Sequence, residues 1–441
     1  MDRLDPWVKS LLSASREFRG EALEFLEMGE MKGLTEGSMS GRFWLDKIAV
    51  RSNLREVFLM SELKSSKTTN AMSRRKFLSG SAVVAGAAGA AAVGAVSMPN
   101  VARAKTTVLK VQAAWGGGIF LEFAQDYARR VNEMAGGSLK IDLLSVDSVV
   151  KTAEMQTAVH KGVLDGAHMV TAYWYSKSPV ASLFGTGPCF GWSANELMGW
   201  IQYGGGRELY YELMHDRLKL DLVGFFSGPM PAQPLGWFKE EIKNASQMKG
   251  LKYRTVGLAA DVLQEMGMSV VQLPGGEIQP AMKSGLIDAA EFNNPTSDKD
   301  FGMQDVSKDY HLGSFHQSQE CFEIIFNKRL YDKLPKEHQA ILEYASEAAS
   351  QDMAWKAMER YSQDLVRLKE DHGVRVHRTP DSVMKEQLKA WDVVVDRISK
   401  DDPFFAKVVA SQKAWAKRHG AYALNNAPDY RGAYEHYYGK L

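Results

Sequence analysis

The stretch Val108-Leu109-Lys110-Val111-Gln112-Ala113, then residues 120–134, then Leu139-Lys140-Ile141-Asp142-Leu143, decides the fold class. The two short runs are aliphatic and read as strands. Between them Phe120, Phe123, Tyr127 and Val131 recur at three- or four-residue steps, as on one helix face. Gly136-Gly137 stops that helix through its freedom in φ. A helix over about 153–163 leads to a strand near 166–172. This β-α-β-α-β order argues for a parallel sheet covered by helices on both faces.

Outward from this unit the alternation recurs. Residues 221–226 and 235–238 read as strands, and so does Leu251-Lys252-Tyr253-Arg254-Thr255-Val256. A helix over 258–266, a strand over 269–273, a short helix over 276–283 and a strand over 286–292 follow. Two α/β units joined by strands leave a cleft, where ligands of open α/β sheets bind. Residues 336–371 contain no Gly and no Pro. A continuous helix there spans roughly 50 Å, so it should cross both lobes or reach a partner. A strand near 374–378 and helices near 382–398 and 402–421 close the chain. The expected class is α/β, two-lobed, with a long lobe-spanning helix.

Composition is that of an ordinary folded protein: 441 residues, 45% hydrophobic, 24% charged. With 54 Lys+Arg against 53 Asp+Glu there is no general basic surface for nucleic acid. Cys189 and Cys321 are the only cysteines, which excludes a disulfide framework and a Cys-based zinc site. Ser73-Arg74-Arg75-Lys76-Phe77-Leu78, a long Ala/Gly/Val stretch and Ala102-Arg103-Ala104 have the layout of an export signal. The paired arginines and weakly apolar core resemble a twin-arginine signal over 72–104, which carries folded proteins out of the cytoplasm. A membrane helix is the alternative, weakened by four glycines and by low transfer energy. Folding before export predicts free thiols. Residues 1–71 read as an over-extended gene start, or else as a small cytoplasmic extension.

Chemistry motifs are sparse. The sequence holds no Gly-x-Ser-x-Gly, His-Glu-x-x-His or Walker loop, and Gly116-Gly117-Gly118 lacks the residues of a phosphate loop. Arg254 lies inside an otherwise apolar strand, and its rigid fork suits a carboxylate. The competing expectation is a structural ion pair to a neighbour. Glu291-Phe292 ends a strand and faces either the cleft or solvent. Trp115, Trp174 and Trp237 line a pocket or fill a core.

Further stretches resemble a known family. They are Gly250-Leu251-Lys252-Tyr253-Arg254, Gly275-Gly276-Glu277-Ile278-Gln279-Pro280-Ala281-Met282 and Ile287-Asp288-Ala289-Ala290-Glu291. Together with the export signal they resemble the DctP-type periplasmic solute-binding proteins of TRAP transporters. Gly236-Trp237-Phe238-Lys239-Glu240-Glu241-Ile242 and Asp298-Lys299-Asp300-Phe301-Gly302 are similar to the 2-oxo acid branch. The resemblance implies a periplasmic binding protein fold, with lobe I over 105–231 and 291–329 and lobe II over 232–290 and 330–441. It implies capture of a small organic acid, delivery to membrane subunits, no catalysis and no organic cofactor. Arg254 then matches the substrate arginine, with Gln233, Glu291, Phe292, Trp115, Tyr173 and Trp174 around it. A bridging Na or Ca ion would use Gln233, Glu291, Phe292 and Gln317. Phe292 stands where the branch has Trp, and Gln317 where an ungapped alignment places an acidic ligand. The second departure removes a carboxylate that hard cations favour, although Glu320 lies three positions on. A homodimer through the C-terminal helices is a further expectation. An exported enzyme, or a component of another uptake or sensing system, is the alternative.

Overall fold

A computed structural model describes residues 106–440, apart from 189 and 274. The upstream extension, the export signal and Cys189 lie outside the described residues; Cys321 is a buried free thiol. Among the described residues no helix is long and apolar enough to cross a membrane.

Among the described residues twelve strands form two six-stranded sheets. In chain order, β1 (Thr107–Ala113), β2 (Leu139–Leu144), β3 (Gly166–Met169), β4 (Thr186–Gly187) and β5 (Leu222–Met230) belong to the first. The chain then crosses into the second with β6 (Gly236–Phe238), β7 (Lys252–Arg254), β8 (Ser269–Val271), β9 (Ala289–Ala290) and β10 (Asp309–Leu312). It returns to the first with β11 (Gln319–Asn327) and ends in the second with β12 (Arg375–Arg378). The first sheet runs β2-β1-β3-β11-β4, with β5 also on β11; the second runs β12-β10-β6-β9-β7-β8. As expected, β1 pairs parallel with β2 and β3. β11 pairs antiparallel with β3, β4 and β5, and β6 with β9 and β10, while β12 joins β10 in parallel.

The sheets divide the chain differently from the expected boundaries. Residues 309–312 stand in the second sheet, so the return to the first falls at 313–318, not at 291. The helix Lys336–Glu370 spans 35 residues. Its Leu342, Ala345, Ala349, Met353, Ala357 and Tyr361 pack into the first lobe's core, and Leu368 into the second's. The helix Pro403–Asn426 likewise sets Phe404, Phe405 and Val408 into first-lobe core beside Phe184 and Trp200. Residues 330–441 are therefore shared between the lobes, with β12 in the second sheet. An i, i+3/i+4 apolar stripe tells that a helix is buried, not by which neighbour.

The strand β11 was not expected. All nine of its residues are buried, including Glu320 and Glu323, and two carboxylates obscure an apolar run. Glu323 is answered inside the first lobe: Trp174 Nε1 donates to it at 2.7 Å and the Tyr210 hydroxyl at 2.5 Å. Burial still pushes its carboxyl up to about 7, against those two bonds and Lys177. The unfolded chain therefore loses this proton at lower pH than the folded one, and stability falls as pH rises from about 4.5 to about 7. E323Q removes the titration. In urea unfolding, the variant should gain on the wild type by ~2–3 kcal/mol between pH 5 and pH 8. A difference that does not change with pH means that Glu323 stays ionised in the fold.

Candidate functional site: a buried arginine between two sheets

Arg254 ends β7, whose parallel neighbours β8 and β9 flank it. Alternation along the strand sends Tyr253 into the core beneath and Arg254 to the other face. The guanidinium is 3% exposed. Its Nε and Nη2 donate to Leu273 O at 2.9 and 2.8 Å. Its Nη1 donates to Glu291 O at 3.1 Å and to Glu291 Oε1 at 2.9 Å. Of five N–H donors, one on Nη2 is left unused. The ion pair weighed for Arg254 is thus present, and its partner is Glu291, the residue immediately after β9. Glu291 is fully buried, and desolvation pushes its carboxyl up to about 7 with Arg254 opposing.

The two crossings between the sheets run beside this pair. Gln233 on the outward crossing donates its backbone N–H to Gln317 O on the return at 3.1 Å. Gln233 Nε2 donates to Glu320 Oε2 at 2.6 Å, and Asn293 Nδ2 donates to the same oxygen. Glu320, at the start of β11, is held up to about 8 by burial and by Glu291, with Gln233, Asn293 and Arg254 opposing. Gln317 instead turns its Nε2 to Val256 O at 3.3 Å. The carboxylate next to the Gln233 side chain comes from Glu320, three residues beyond Gln317. The strand phase of β11 decides it.

Tyr173 faces the same cluster. Burial raises its phenol to about 12, with Arg254 opposing and Glu320 and Glu291 adding. Trp174, its neighbour, points away into the first lobe's core to meet Glu323. Successive residues of a 3₁₀ turn point about 120° apart, so Tyr173 and Trp174 cannot share a pocket. Trp237 is core as well, stacked on Tyr310 at 4.2 Å with its Nε1 on Asp298. Trp115 meets Tyr173 at 6.2 Å and Phe120 at 5.0 Å, and Phe120 meets Phe292 at 5.8 Å. These rings form an apolar wall beside the charges. Phe292 fits there because a Cβ on Gly275 would stand 2.5 Å from its ring.

Asn293 and Asp298 were not foreseen. Asp298 accepts from Trp237, Tyr310 and the backbone of Asn293 and Asn294, and so fixes the loop that aims Asn293 at Glu320. The visible cue is Asn294-Pro295, an N-cap and N1 pair that starts the helix Pro295–Asp300.

Gln233 Oε1, Gln317 Oε1 and Glu291 Oε2 are buried and receive no hydrogen bond. Orphaned oxygens beside a buried carboxylate suit a hard cation. Among the described residues no three His, Cys, Asp or Glu side chains gather with metal-holding geometry, so amide and main-chain oxygens would have to complete such a site.

Residues 118–402 match the family model of bacterial extracellular solute-binding proteins, family 7, DctP. A monocarboxylate 2-oxoacid-binding periplasmic protein of Nostoc sp. is 31% identical over 67% of this chain and 80% of its own. A TRAP periplasmic solute-binding protein of Colwellia psychrerythraea, solved with calcium and pyruvate, is 30% identical over 72% of this chain and 97% of its own, with TM-score 0.67. One from Pseudoalteromonas atlantica, with sodium and pyruvate, is 29% identical over 72% and 96%, with TM-score 0.68. One from Bordetella bronchiseptica, with copurified calcium and picolinate, is 25% identical over 75% and 97%, with TM-score 0.69. The fold is that of a two-lobed binding protein of a transport system, not of an enzyme. The chain belongs to the DctP family of TRAP-transporter solute-binding proteins, which bind small organic acids and work with membrane subunits.

Removing one member of a buried ion pair strands the other. R254A should cost about 3 kcal/mol in urea unfolding, and R254A/E291Q should recover at least half of it. Equal losses in the single and double variants would show that Glu291 does not depend on Arg254.

Proposed function

We propose that this protein captures a small 2-oxo monocarboxylate in the periplasm and releases it to the membrane subunits of a TRAP transporter. Arg254 anchors the carboxylate through its unused Nη2 proton, and Trp115, Tyr173 and Phe292 enclose the tail. The observation that supports this best is a buried guanidinium with a donor to spare next to oxygens that lack donors. Arg254 and Glu291 neutralise each other, so an entering anion brings one net negative charge. A Na or Ca ion would offset that charge. Gln233, Glu291 and Glu320 would hold it, with Gln317 Oε1 and the Phe292 carbonyl as further oxygens. A 2-oxo acid suits such a cation because its carboxylate and ketone oxygens are adjacent. The proteins solved with pyruvate carry sodium or calcium, in line with this reading.

The test is a thermal-shift and calorimetric titration with pyruvate after chelation, without and with added Ca or Na. At a hundred times Kd, pyruvate should stabilise the metal-loaded protein by about 2.7 kcal/mol, and chelator should abolish most of that. R254K keeps the charge but loses the fork, and should weaken binding by about 100-fold. E320Q should lose the response to calcium. No binding of any 2-oxo acid with either ion would sink the reading.

The residues 72–104 would direct export by the twin-arginine route, leaving a mature chain from Lys105. The helix Tyr430–Tyr438 buries none of its residues and exposes Tyr430, Tyr437 and Tyr438. A second copy would cover that face through the C-terminal helices. Light scattering on protein recovered from the periplasm should give twice the mass of the mature chain. A strain lacking the twin-arginine translocase should yield none there.

A further inference from the structure

His168 lies in β3, fully buried, and none of the roles above uses it. Trp115 Nε1 donates to its Nδ1 at 2.8 Å, and Ala114 N donates to its carbonyl at 3.0 Å. Acceptance at Nδ1 puts the neutral ring's proton on Nε2. Burial keeps the ring neutral by pushing its pKa down to about 3. Nε2 is buried without a partner. An aliphatic side chain would avoid the cost of that orphaned N–H. What histidine adds at this position is an acceptor for the Trp115 indole.

That indole needs a fixed point. It is followed by Gly116-Gly117-Gly118, which have no side chains to pack, and Gly118 takes a φ of 65°. Around it stand Phe120 at 5.0 Å, Phe322 at 5.5 Å and Tyr173 at 6.2 Å. None of these is charged, so a tail running past Tyr173 from an acid anchored at Arg254 would meet apolar surface.

We propose that His168 is a positioning residue that locks the Trp115 indole as the end wall of the acid-binding crevice. It thereby sets how long an apolar tail the ligand can carry. This rests on the reading of Arg254 as the carboxylate anchor. Freed of His168, the indole loses its one hydrogen-bonded anchor, and the wall gives way.

The test titrates the calcium-loaded protein with pyruvate and with 4-methyl-2-oxopentanoate, and compares the two Kd values in wild type, H168L, H168N and W115F. Wild type should favour pyruvate. In H168L and W115F that preference should shrink by about tenfold, the scale of a few methylenes in an apolar pocket. H168N places Oδ1 where Nδ1 stood and should restore the preference to within about threefold of wild type. The indole N–H resonance of Trp115, assigned by its loss in W115F, should shift in H168L and return in H168N, with no ligand needed. An unchanged Kd ratio in H168L overturns the proposal, and so does an unmoved resonance. If H168L does not fold, W115F decides by the same ratio. Pyruvate binding with an unchanged ratio removes only this inference. A wild type that binds neither acid removes the reading of Arg254 and this one together.

Discussion

The crevice depends on one buried ion pair. Arg254 and Glu291 end two adjacent parallel strands, and each would be costly to bury alone. Four donor contacts from the guanidinium offset its desolvation, two to Leu273 O and two to Glu291. The pair is electrically neutral but not saturated, since one donor and one carboxylate oxygen remain. That combination makes burial tolerable and leaves polar atoms without a protein partner. A saturated pair would be structural only, and an unpaired arginine would be too costly to keep dry.

The surrounding fold brings segments of both sheets to this pair. The outward and return crossings are joined by the Gln233–Gln317 backbone bond, and each contributes side chains to the crevice. The lobes also touch away from it. The Tyr175 hydroxyl, from the first lobe, donates at 2.5 Å to Asp261 on the helix Leu258–Glu265, and Asp261 also pairs with Arg397. Closure in such proteins is a population shift, so the ligand needs to bind the closed form better than the open one.

Much of this was legible residue by residue. Phe120, Phe123, Tyr127 and Val131 marked a buried helix face, and all four are buried on the helix Gly118–Met134. The helix over 336–371 was visible because nothing in it breaks a helix, and it does span both lobes. Arg254 stood out as a charge in an apolar strand. The strand β11 did not, because Glu320 and Glu323 break the apolar run and are neutralised only by residues far away in sequence. Trp174 and Tyr173 looked equivalent as neighbouring aromatics, and the turn they occupy sends one to the core and the other to the crevice.

By itself the sequence determined the α/β alternation and the long brace, and it singled out Arg254 as a charge in an apolar strand. Those rest on periodicity and on the anomaly of one residue among its immediate neighbours, both local properties. Only the tertiary structure decided that Glu291 answers Arg254, that the Glu320 carboxylate meets the Gln233 side-chain amide, and that His168 holds Trp115. Each of these is a hydrogen bond between distant segments. Its geometry depends on strand phase and sheet order, which no local pattern of residues records.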